Sequence, residues 1–91
     1  MALQQTQERL DRASEYDKEA SFLRGVARSF VDIIDHTEST FKPGSDPARR
    51  ALEIVTTDLH DKRRRTIAEA DRLTARAEKL REMVGAPDAE D

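Results

Sequence analysis

The sequence predicts an all-α fold: a long antiparallel helical hairpin that self-associates into a four-helix bundle or a larger helical oligomer. Three observations predict it. Apolar residues alternate at spacings of four and three along one segment, a proline- and glycine-containing break follows, and the same pattern then resumes. Spacing of this kind marks the seam of a helix packed lengthwise against another helix.

The first helix is expected over about residues 3–40. Its seam is Tyr16, Ala20, Leu23, Ala27, Phe30, Ile34, Thr37 and Phe41, and Leu3 and Leu10 extend the apolar side upstream. Lys42-Pro43-Gly44-Ser45-Asp46-Pro47 then ends it, with the turn placed at 42–46. A second helix is expected over about 47–84. Ser45 or Asp46 would cap its start, and Pro47 sits in the first turn, where a missing N–H costs nothing. Its seam begins at Ala48, Leu52, Val55 and Leu59. Each helix would be about 57 Å long at 1.5 Å per residue. Residues 1–84 thus read as one helical hairpin, and 85–91 as a mobile acidic tail.

Folding the chain back on the turn sets Phe41 against Ala48, Ile34 against Val55 and Phe30 against Leu59. Further along, Leu23 meets Thr66, Ala20 meets Ala70, Tyr16 meets Leu73 and Leu10 meets Leu80. Apolar residues also lie off this seam: Phe22, Val26 and Ile33, joined by Val31, with Ala51 and Ile54 near the same end. That surface is too wide for one neighbouring helix. Exposing each large side chain forgoes about 1.5–3 kcal/mol, so Phe22, Val26, Ile33 and Ile54 are expected to form an oligomer interface. The alternative occupant is another helical protein.

In the second helix the spacing fails once, because Val55, Leu59 and Arg63 are each four apart before Thr66 and Ala70 resume the alternation. A stutter of this kind locally unwinds a supercoil. It places Arg63 on the seam, opposite Gly25 and Ala27, where glycine suggests close approach or room for a large side chain. Arg24, Arg28, Lys62, Arg63, Arg64 and Arg65 then gather at one level. Beside a nucleic-acid surface, which a run of four basic residues without an extended basic face or stacking aromatics signals only weakly, two readings of that level stay open. The arginines are solvated and paired with Asp32, Asp58, Asp61 and Glu69, or Arg24, Arg28, Arg63 and Arg64 form an anion site, since guanidinium groups bind phosphate bidentately.

Composition narrows the class. With 91 residues, 38% charged, 36% hydrophobic and no cysteine, the chain is one domain at most and resembles a long-helix protein more than a compact enzyme. The formal charge of -3 is accounted for by Asp88, Glu90 and Asp91, so the body is balanced and recommends neither nucleic acid nor an acidic membrane. No apolar run approaches a bilayer span, and the first residues lack the basic start and apolar core of a signal peptide; a cytoplasmic protein is expected. No serine has a base and orienting acid nearby in sequence, and no glycine-rich phosphate loop follows a strand pattern. His36 and His60 fit no metal spacing, although Asp32 and Glu53 would lie near His36. Neither an enzyme, a metal nor a cofactor is expected.

Leu23-Arg24-x-x-Ala27-Arg28, running on to Ile34-Asp35, then a loop with Ser45 and a helix opening Arg50-Ala51-Leu52, resembles the small helical anti-CBASS sponge proteins of phages. The resemblance covers about a third of the chain. It implies a non-enzymatic oligomer that sequesters cyclic oligonucleotides between protomers, as part of phage anti-defence. The family's Tyr- and Pro-containing segment before the first long helix is missing here, and His60 to Arg65 stands where the family has an apolar, tryptophan-containing run. No individual ligand residue carries over. The functional expectation is therefore a non-enzymatic, homo-oligomeric binding or adaptor hairpin, with sequestration of a cyclic oligonucleotide or another phosphate ligand as the alternative.

Overall fold

A computed structural model describes residues 2–85, and in them the chain forms two helices, α1 (Ala2–Thr40) and α2 (Asp46–Gly85), packed antiparallel. Both expected helices are present, with α2 beginning at Asp46, inside the stretch expected as turn. The acidic tail expected after the helix lies, beyond Gly85, outside the described residues.

Local chemistry sets the turn. α1 closes with the Phe41 N–H donating to the Thr37 carbonyl at 3.0 Å, and Lys42-Pro43 cannot continue it. Ser45 caps α2: its Oγ accepts from the Ala48 N–H at 3.3 Å, three residues on, and its carbonyl accepts from the Arg49 N–H at 3.0 Å. Pro47 sits inside the first turn, where no acceptor awaits its nitrogen.

Alanine every seventh residue organises the packing. Ala13, Ala20 and Ala27 in α1, and Ala70 and Ala77 in α2, are at most 3% exposed, and small side chains at these positions let the two backbones approach closely. Ala20, Ala70 and Leu73 form one cluster with Tyr16 and Leu23 packed on it. Stepping seven residues in opposite directions from the Ala20–Ala70 level gives Ala13 with Ala77, then Ala27 with Arg63, then Ile34 with Thr56.

This register corrects three expectations. The seam of α2 passes through Thr56, which is buried, while Val55 is 49% exposed. Leu52, Thr56, Leu59, Arg63, Thr66 and Ala70 then alternate four and three without interruption, so the stutter does not exist. Thr56 is tolerated there because its Oγ1 donates to the Leu52 carbonyl at 3.0 Å, leaving its methyl for the seam. Upstream, the seam continues through Ala13 and not through the leucines: Leu3 is 85% exposed and Leu10 lies at the rim. Leu10 therefore does not pair face to face with Leu80.

Gly25 is the third correction. A methyl group added there would meet nothing within 4 Å, so glycine provides neither close approach nor a notch for Arg63. Its φ is negative, as a helix requires. Gly25→Ala should therefore stabilise the protein by about 1 kcal/mol through helix propensity and unfolded-state entropy. For a chain of this size that raises Tm by about 4–8 °C in a thermal melt, and a lower Tm would show that the glycine is required.

The result is a rod of 70 × 16 × 13 Å with a radius of gyration of 20.5 Å, where a compact chain of this length would have about 12 Å. Two helices alone enclose little, and among the described residues no large side chain is fully buried.

Candidate functional site

The two flanks of the seam differ in chemistry. Residues four after a seam alanine, Asp17, Arg24 and Val31, project to one side; residues one before a seam position, Val26 and Ile33, project to the other. On the first flank Arg24 bridges the helices, donating to Thr74 Oγ1 at 2.8 Å and to the Asp71 carboxylate at 3.2 Å. Arg81 of α2 pairs with Asp17 of α1 further along. These side chains are about half exposed, so each pair contributes at most about 1 kcal/mol, yet together they favour one register.

The arginine level lies on that same flank. Arg24, Ala27, Arg28, Val31, Arg63 and Ile67 line a shallow recess of about 350 Å³. Arg63 occupies the seam position, as the sequence indicates, but across from Ala27. Its side chain is half-buried, and no fully buried side-chain nitrogen or oxygen lacks a hydrogen-bond partner among the described residues. The stem of Arg63 therefore covers Ala27 while the charge reaches water.

The level divides between the two readings made from sequence. Lys62 pairs with Asp58 at 3.1 Å, Arg64 with Asp61, and Arg24 with Asp71. Glu69 pairs with Arg72 at 3.1 Å and not with the basic run. Among the described residues Arg28, Arg63 and Arg65 form no ion pair within 4.0 Å, and the first two of these share the recess. Arg64, committed elsewhere and exposed, does not line it. Val31, expected to join the Phe22 stripe, instead belongs to this recess with Ile67.

The second flank is apolar in its turn half. Phe22 is 69% exposed and Ile33 48%, with Val26 half-buried between them on the same side of α1. The stripe leads toward a groove of about 610 Å³ at the turn, whose walls include Thr37, Phe41, Ala51, Leu52 and Val55. Phe41 is 62% exposed even though it ends the α1 seam, because the turn leaves no residue to cover it. Ile54, at 62% exposure, lies on the outer face of α2 among Arg50, Glu53, Asp58 and Asp61, away from this groove. Val55 was the residue that sequence reasoning missed on this flank. Its exposure follows from the register of the downstream alanines, which is a signal present in the sequence.

A smaller recess at the distal end also escaped the sequence reading. It is lined by Arg12, Tyr16, Arg76, Lys79, Leu80 and Met83, and its three cations have no ion pair among the described residues. His36 and His60 are exposed, and no three His, Asp or Glu side chains converge as a metal ion would need among the described residues. Among the described residues no helix is long and apolar enough to cross a membrane. No known family pattern matches the chain, and neither a characterised protein nor a solved structure matches it.

Proposed function

We propose that this chain is a non-enzymatic binding or adaptor protein that works as a homo-oligomer of helical hairpins. The observation that carries the reading is the apolar flank of the turn half: Phe22, Val26, Ile33, Phe41 and Val55 are left without a cover that a single hairpin can supply. The chain exposes 7055 Å² of surface, where a compact monomer of its mass exposes about 5,400 Å². The excess is about twice the roughly 800 Å² that one partner contributes to a standard protein interface. Adding two more helices is the simplest way to bury such a flank. Dissociation by Val26→Glu tests this reading, with the result expected set out in the Discussion.

A second reading is supported by a separate observation, the uncommitted Arg28 and Arg63 in a recess floored by Ala27, Val31 and Ile67. Two guanidinium groups over an apolar floor suit a phosphate attached to a flat or apolar body, and a cyclic oligonucleotide has that chemistry. On this reading the oligomer sequesters such a ligand, in the manner of an anti-defence sponge. A panel of cyclic dinucleotides, nucleotides and inorganic phosphate should then raise Tm, and Arg63→Ala should abolish the shift. Arg72→Ala, whose residue is already paired with Glu69 away from the recess, should leave it intact. A panel that shifts nothing leaves the arginines as solvated surface and the adaptor reading alone.

A further inference from the structure

Building on the self-association just proposed, we infer how a second copy sits: two hairpins pair antiparallel along the apolar flank, each Phe22 seated at the turn groove of the other. The opposite flank is closed to such an arrangement by Arg24 with Asp71 and Thr74 and by Asp17 with Arg81. The apolar stripe and the groove open on one and the same side, which makes that side self-complementary under a two-fold axis.

Distances along the rod place the axis. Phe22 and Phe41 are about 28 Å apart at 1.5 Å per residue, so an axis near residues 31 and 32 carries each Phe22 to the partner's groove. Val26 and Ile33 then interleave with their own copies across the axis. At the same level of α2 lie Asp58 and Lys62, opposite charges one turn apart and paired at 3.1 Å within the chain. Because this pair is already satisfied within the chain, it leaves no unpaired charge at the axis. A parallel pairing lacks this match, because Phe22 would meet the level of Arg65 and Glu69.

The area is sufficient. A 28 Å overlap of a rod 16 Å wide gives a flat footprint of about 450 Å² per copy. Side-chain relief adds to this, and the total reaches the roughly 1,000 Å² at which specific interfaces begin. Phe22 is one of two phenylalanines on the face and enters the partner's groove, the placement typical of a residue that dominates binding.

The absence of cysteine from the sequence makes single-site labelling straightforward. Spin labels on Lys42→Cys should show an intermolecular separation of about 30 Å, because the two turns point in opposite directions from the axis. Labels on Ser29→Cys, close to the axis, should lie within about 20 Å. Phe22→Ala should weaken the dimer about 30-fold, whereas Leu3→Ala, at an exposed site off the face, should leave it unchanged. A dimer whose Lys42 labels fall within 20 Å overturns the antiparallel arrangement but leaves self-association standing. Equal responses to Phe22→Ala and Leu3→Ala overturn the seat of Phe22. A wild-type chain that scatters as a monomer, or that dimerises only with another protein, overturns both the arrangement and the self-association beneath it.

Discussion

Ala70→Glu is expected to unfold the distal half of the hairpin. Ala70 is fully buried against Ala20 and Leu73, in the cluster on which Tyr16 and Leu23 also pack. A glutamate there faces two penalties, the steric one of prising the helices apart and the desolvation of a carboxylate that has no cation on the seam beside it. Together these cost several kcal/mol, a large share of the stability of any small domain. Helicity measured by circular dichroism should fall at room temperature, or Tm should drop by well over 10 °C. Ala75→Glu, at an exposed site on the same helix, should change stability by no more than about 0.5 kcal/mol. Similar melts for both variants would mean that the alanine ladder is not the core of this protein.

Val26→Glu has the other large expected effect, and it acts on assembly. Val26 lies between Phe22 and Ile33 on the apolar flank, half-buried in the hairpin alone. Pairing two copies would bury it fully, and a glutamate would then be enclosed on both sides without a partner cation. The association constant should fall at least 100-fold while the isolated hairpin keeps its helicity. Light scattering separates the two effects: lower mass with unchanged circular dichroism is the expected result, and unchanged mass would remove this flank from the interface.

Much of the fold is legible because two helices pose a simple question, which residues recur every three and four positions. The seam from Tyr16 to Ile34, the reversal at Pro43-Gly44 and the Ser45 cap all follow from that spacing and from turn chemistry. The misreadings share one cause, weighting side chains by hydrophobicity where packing is governed by size. Val55 is more apolar than Thr56, and Leu10 more than Ala13, yet the seam takes Thr56 and Ala13. Closely approaching helices leave room for alanine every seventh residue, and Thr56 satisfies its own hydroxyl within the helix. Extending the Ala70–Ala77 repeat backwards would have found Thr56 and removed the stutter.

The candidate site was legible by position more than by geometry. Arg63 was placed on the seam by counting, but spacing does not tell whether a long side chain buries its charge or bends it to water. The ion pairs were likewise only partly readable. Lys62 with Asp58 and Arg64 with Asp61 follow from spacings of four and three, whereas Arg24 with Asp71 depends on the register between helices. The apolar flank was recognised from Phe22, Val26 and Ile33. Its continuation into the turn groove through Phe41 and Val55 depended on the same register.

The central claim, that this hairpin completes its apolar flank with another copy of itself, is tested most directly by the mass of the unmodified protein in solution. Sedimentation equilibrium or light scattering at micromolar concentration should give a multiple of the 10.3 kDa chain mass, two copies or more. A single well-folded species of 10.3 kDa, helical and monodisperse across that concentration range, would contradict it.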